Sequence, residues 1–108
     1  MTVASFKILA LSFPDTIENP HFDRTVFKIK NKKIFASLHV ESKTVNFKFS
    51  PVDQSVFCDF NKDAVYAVPN KWGKQGWTTF ELKKLPKAFI VDALHTAYKE
   101  ALKSKTSK

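Results

Sequence analysis

The sequence predicts an α+β domain in which about five antiparallel strands lie between an N-terminal and a C-terminal helix. Three observations carry this. Apolar residues recur at helical spacing at both ends of the chain, they alternate with period two from Thr25 to Phe49, and Pro, Asn and Gly punctuate the connections. With 108 residues, 44 % of them hydrophobic and eleven of them Phe, the chain is expected to be one domain over residues 1–108. A chain of that size buries about 60 to 70 % of its unfolded surface and needs no disulfide or metal to hold a core.

The opening helix rests on Val3, Phe6, Leu9, Ala10 and Phe13, with Thr2 as N-cap and Pro14 as the stop. Lys7 interrupts the apolar run, which is too short to span a membrane and has no basic start before it, so no membrane role is expected. "PDTIENPH", Pro14 to His21, reads as an ordered loop with no ladder of its own. In "TVFKIK" Phe27 and Ile29 oppose Lys28 and Lys30; in "KIFASLHV" Ile34, Ala36, Leu38 and Val40 oppose Lys33, Phe35, Ser37 and His39. Asn31 and Lys32 form the turn between them. "TVNFKF" completes a meander, with Val45, Phe47 and Phe49 facing one way and Thr44, Asn46 and Lys48 the other.

"SPVDQSVFCDF" starts a helix, with Ser50 as N-cap, Pro51 in the first helical position and Asp53 at the positive end of the dipole; Val52, Val56 and Phe60 align on one side. "AVYAVP" and "WTTFEL" read as the fourth and fifth strands. The closing helix opens at Pro86 with a stripe of Phe89, Ile90, Ala93, Leu94, Ala97, Ala101 and Leu102, and residues 104–108 are expected to fray. Cys58 is the only cysteine and reads as a structural thiol, which excludes an intrachain disulfide and makes the cytoplasm the expected compartment.

The net charge of +8 is unevenly spread. Residues 24–48 carry Arg24, Lys28, Lys30, Lys32, Lys33, Lys43 and Lys48 against Glu41 alone, a local net of +6, and residues 71–87 carry five lysines against Glu81, a net of +4. Such a concentration fits a polyanion, because neutralised phosphates release their condensed counterions. It also fits the solvated face of a one-sided sheet. His21, His39 and His95 form no ligand spacing, no carboxylate pair or nucleophile motif is present, and neither a metal, a cofactor nor a catalytic residue is expected.

Both glycines and both tryptophans fall in "KWGKQGW", Lys71 to Trp77. This stretch is either a tight turn feeding a strand or a ligand-contacting loop. "LALSFPDTIENPHF", "RTVFKIKNKKIFASL", "SPVDQSVF", "VPNKWGKQGWTTFEL" and "ALHTAY" together resemble the MmcQ/YjbR-like family over nearly the whole chain. Asp23 and Thr25 stand where many members carry Gly and Pro, so the run into the first strand is expected to differ. The resemblance implies helices packed on one face of the sheet, as in the frataxin-like (CyaY-like) arrangement, and a "double wing" layout associated with DNA binding. It implies that the glycine-containing turn feeds the last strand, with Gly73 and Gly76 supplying unusual backbone angles and Trp77 anchored at the core or its edge. Trp72 is the better candidate for exposure. Frataxin-like iron handling relies on an acidic helix, and the few acids here, Asp15, Glu18 and Asp23, in a basic protein disfavour it.

The expected function is therefore a non-enzymatic DNA-binding module, monomeric by default, with weak, salt-sensitive contacts of little sequence preference. Lys28, Lys30, Lys32, Lys33, Lys48, Lys71 and Lys74 would meet phosphates, and Phe35 or Trp72 would add apolar contact. The alternatives are a protein-interaction or small-anion adaptor using the same surface, and an enzyme whose site is assembled from residues distant in sequence.

Overall fold

The computed structural model describes residues 1–103, so the expectation for the 104–108 tail lies outside the described residues. In chain order the elements are α1 (Val3–Leu11), β1 (Thr16–His21), β2 (Arg24–Ile29), β3 (Ile34–His39), β4 (Thr44–Lys48), α2 (Pro51–Phe60), β5 (Val65–Ala67), α3 (Lys71–Lys74), β6 (Trp77–Glu81), a 3-10 turn (Leu82–Lys84) and α4 (Lys87–Leu102). The strands form one antiparallel sheet in the order β1-β2-β3-β4-β6-β5. The caps are those the residue types dictate: Thr2 Oγ1 accepts from the Ser5 amide at 3.0 Å, and Ser50 Oγ from the Asp53 amide at 3.2 Å.

Phenylalanine fills the space between sheet and helices. Phe6 of α1 meets Phe27 and Phe47; Phe49 stacks on Phe57 of α2 at 4.8 Å; Phe80 contacts Phe47, Phe49, Phe57 and Phe89 of α4. Burying each such ring contributes about 1.5–3 kcal/mol, and edge-to-face geometry adds to it. Tyr98 of α4 donates its hydroxyl proton to Pro14 O at 2.7 Å, tying the last helix to the end of the first. On α2 it is Phe57 that enters the core, while the aligned Val52, Val56 and Phe60 lie on the exposed side.

Two expectations are corrected. The segment Thr16–His21 is a sixth strand, where a loop was expected: it pairs with β2 from Thr16 opposite Ile29 to His21 opposite Arg24. Pro20 is compatible with a ladder because β1 is an edge strand, where one side of the backbone has no neighbour to bond. The second correction concerns Phe35, expected on the solvent side. A bulge shifts the β2–β3 register so that Phe27 faces Ala36 but Lys28 faces Ile34, leaving Phe35 as the extra residue. It turns inward, is fully buried, and meets Tyr98 edge-on at 5.6 Å. Ile34 takes its place on the other side. Burial of a phenyl ring outweighs the disturbance of one ladder position.

The glycines divide the work in "KWGKQGW". Gly76 has φ +108°, which a side chain resists, and a Cβ there would lie 1.9 Å from Phe49 O. Gly73 sits in α3, an element not expected, and its requirement is space: a Cβ would lie 1.9 Å from Val68 O. The expectation of an unusual backbone angle thus holds for Gly76, whereas Gly73 serves close backbone approach. Gln54 of α2 braces the loop, its Nε2 donating to Gly73 O at 2.9 Å and Trp77 O at 3.3 Å.

Gly76→Ala is expected to lower stability by about 2–4 kcal/mol, combining backbone strain and overlap with Phe49; an unchanged urea midpoint would refute this. Cys58 gives a second prediction. Burial and then Asp59 push its thiol pKa above the ordinary value, outweighing a bond to the Ala67 backbone that lowers it. A raised pKa means less thiolate near neutral pH, so reaction with Ellman's reagent should run several-fold slower than for free cysteine and recover as pH rises.

Candidate functional site

Directly opposed residues of antiparallel strands share a face, so the register decides what each side of the sheet displays. Phe27, Ala36, Leu38, Val45, Phe47 and Phe80 lie on the side covered by α1, α2 and α4. The other side carries Arg24, Val26 and Lys28 from β2, Ile34, Ser37 and His39 from β3, Thr44, Asn46 and Lys48 from β4, and Trp77, Thr79 and Glu81 from β6. Among the described residues no helix packs across the middle of this second face, although the end of α4 borders it through Glu100 and Lys103 and α3 through Trp72.

The face has two poles. The ends of β2 and β4 and the starts of β3 and β6 lie together, since Lys28 pairs with Ile34 and Lys48 with Trp77. That geometry gathers the candidate lysines: Lys28 and Lys48 on strands, Lys30, Lys32 and Lys33 on the β2–β3 connection, and Lys71 and Lys74 on α3, which leads into Trp77. Glu100 at the end of α4 offsets part of this charge. Lys33 and Lys48 line a cleft of about 370 Å³ with Gln75, Trp77, Glu100 and Lys103.

Toward the middle of the face lies a more apolar trough of about 450 Å³, floored by Val26 and Ile34 and walled by Trp72, Trp77, Val68 and His21, with Ser37, Asn46 and Arg24 supplying polar groups. Arg24 is held flat along the sheet: its Nε donates to Ser37 Oγ at 2.7 Å and its Nη2 to Ser37 O at 2.9 Å. Burial lowers its pKa from the ordinary arginine value and Asp23 opposes that; a guanidinium is charged throughout the working pH range. The Asn46 Oδ1 accepts from the Thr79 hydroxyl at 2.7 Å, which leaves the amide's N–H donors for the trough. Trp72 is 49 % exposed, its backbone N–H bonded to Asn70 Oδ1 at 3.0 Å and Lys71 Nζ 5.8 Å from its ring centre. Trp77, expected at the core or its edge, is half-buried on the helix-free side and borders both clefts.

The opposite pole is a hydrogen-bonded cluster. His39 Nε2 lies 3.0 Å from Asp23 Oδ2 and its Nδ1 2.6 Å from Ser42 Oγ, joining the β1–β2 and β3–β4 turns. Glu81 accepts from the Tyr66 hydroxyl at 2.9 Å and pairs with Lys84 at 3.1 Å, and these two partners hold its carboxyl below the ordinary range. Phe22, at the tip of the β1–β2 turn, is 95 % exposed with φ +58°.

Of the residues the sequence singled out, Lys28, Lys33 and Lys48 come together at one end of the face, with Lys30 and Lys32 on the adjoining connection, while Trp72 walls the trough and Lys71 and Lys74 flank it on α3; Phe35 is buried in the core and is not on the face. Arg24, Val26, Ile34 and His21 were missed as lining residues. Continuing the period-two alternation of β2 back through Arg24 would have found the first two of β2's contributions, but Ile34 reaches the face only through the bulge. Among the described residues no three of His, Cys, Asp and Glu lie close enough to hold a metal ion, and no helix is long and apolar enough to cross a membrane.

Solved structures of similar fold include the following two. A crystal structure of the Deinococcus radiodurans protein DR2400, with a DUF419 domain, superposes with a TM-score of 0.83 at 17 % identity, over 94 % of this chain and 79 % of that one. A protein from Pseudomonas syringae superposes with a TM-score of 0.69, also at 17 % identity, over 94 % of this chain and 99 % of that one. At such identity the likeness establishes the fold alone. Among curated proteins none matches. The YjbR family model matches residues 11–100, a span that takes in the meander, the tryptophan loop and most of α4, and the chain accordingly belongs to the YjbR family.

Proposed function

We propose that the protein is a non-enzymatic nucleic-acid-binding module that docks through the helix-free face of its sheet. The observation that carries this reading is the gathering of Lys28, Lys33 and Lys48 at one pole by the antiparallel register, with Lys30 and Lys32 on the β2–β3 connection there and Lys71 and Lys74 on the short helix that leads into Trp77. Phosphates spaced along a strand would meet several ammonium groups at once, while Trp72 and Trp77 offer flat apolar contact beside them. Phosphate-dominated contact of this kind is strongly salt-dependent and reads little sequence.

A binding role is favoured over catalysis by the chemistry of the nucleophiles. The Asp23, His39 and Ser42 side chains touch in the order of a hydrolytic triad, yet His39 Nδ1 also receives the Ser42 backbone N–H at 3.2 Å and Ser42 Oγ bonds Thr44 Oγ1 at 2.8 Å. The cluster borders neither of the two clefts, and the Cys58 thiol is pushed toward its protonated form. A second reading, a small-anion adaptor, is favoured by the cleft where Lys33, Lys48 and Lys103 converge.

Fluorescence anisotropy with labelled duplex and single-stranded DNA at two salt concentrations tests the proposal. Binding at low salt that weakens steeply with added salt is expected, and Lys28→Glu with Lys33→Glu should weaken it broadly and reduce the log–log salt slope by about 2. Failure to bind either DNA at low salt ends the reading; saturable binding of inorganic phosphate in that case would put the adaptor in its place.

A further inference from the structure

The trough between the tryptophans and Arg24 is chemically unlike the lysine pole beside it. At about 450 Å³ it falls within the size range of small-ligand sites, about 300–1,000 Å³, and its floor is Val26 and Ile34. Phosphate gains nothing from such a floor. What the floor and walls suit is a flat ring with a polar edge: an indole face at Trp72, the plane of Arg24 pinned by Ser37, and the N–H donors of Asn46, whose oxygen is already taken by Thr79.

We propose that this trough receives one unpaired base of a single-stranded nucleic acid, stacked on Trp72, with the neighbouring phosphates held by the lysines of the adjacent pole. The inference rests on the nucleic-acid reading and sharpens its substrate class. A base inside a duplex has both faces covered by its neighbours and has none free to lay on the Trp72 indole. A free strand can turn a base into the trough while its backbone follows the cationic end. The position of Trp72 is set before any ligand arrives. Gly73 lies against Val68 O, Gly76 against Phe49 O, and Gln54 bonds the loop from below, so the indole stands on a braced turn and little ordering remains to be done on binding.

The test compares an oligo(dT) strand, a duplex of equal length and thymidine monophosphate, each titrated against the full chain while tryptophan fluorescence and anisotropy are read. The strand is expected to quench the fluorescence and to bind more tightly than the duplex. Trp72→Ala should weaken strand binding about 5- to 150-fold, the range found for loss of one stacked base, and weaken duplex binding far less; Trp72→Phe should restore most of the loss. Because Trp72 is half-exposed its replacement should leave the thermal transition near that of the parent protein, and if it does not, Asn46→Ala provides the same comparison from the opposite wall. Equal affinity for strand and duplex with no effect of Trp72→Ala would overturn the inference while leaving the proposed module intact. Thymidine monophosphate binding as tightly as the strand would overturn it in favour of a free nucleotide site. Absence of any nucleic-acid binding would remove both readings together.

Discussion

One constraint organises the molecule: a row of phenylalanines on one side of an antiparallel sheet must be sealed from water by helices. Phe27, Phe47, Phe49 and Phe80 meet Phe6, Phe57 and Phe89 there in a continuous set of ring contacts. Once that side is committed, strand alternation leaves no freedom for the other. Every second residue of β2, β4 and β6 points away from the helices, and those residues include Arg24, Lys28, Asn46, Lys48 and Trp77 of the candidate site. The functional face is the complement of the core.

Departures from strict alternation refine that face. The bulge at Phe35 moves one aromatic ring into the core and hands its place to Ile34, which deepens the apolar floor shared by the two clefts. The tryptophan loop reaches the same floor from the far edge. Its two glycines are required for different reasons, close approach to Val68 at Gly73 and a left-handed backbone at Gly76, and together they let α3 fold tightly enough to set Trp72 over the trough. A loop with a Cβ at either place would stand off from the sheet. Local backbone economy and site geometry are the same feature seen twice.

Charge follows topology as well. Lysines drawn from four segments meet at one pole because antiparallel strands bring the end of one beside the start of the next. At the other pole the ionisable groups are engaged with one another, His39 with Asp23 and Ser42, Glu81 with Tyr66 and Lys84. The face is thus polarised, with a concentration of lysines at one end and a hydrogen-bonded cluster of mixed charge at the other. Phe22 interrupts this division as an exposed ring on a turn whose backbone angle suits glycine better, its ring set edge-on to His21 at 4.9 Å.

The sequence by itself determined α1, α2 and α4, the caps at Thr2 and Ser50, the three-stranded meander, the two lysine-rich segments and the special character of the tryptophan loop, because these depend on period, cap chemistry and backbone preference within a few residues. Edge strand β1 escaped notice because its polar, proline-containing sequence carries no apolar alternation, and its pairing is supplied by β2. The side on which Phe35 lies, the flat hold of Ser37 on Arg24, and the meeting of Trp72 with Val26 and Ile34 were decided only by the tertiary structure. A bulge is a property of two strands in register, and a trough exists only when segments far apart in the chain are brought side by side, so neither can be written in the period of any one of them.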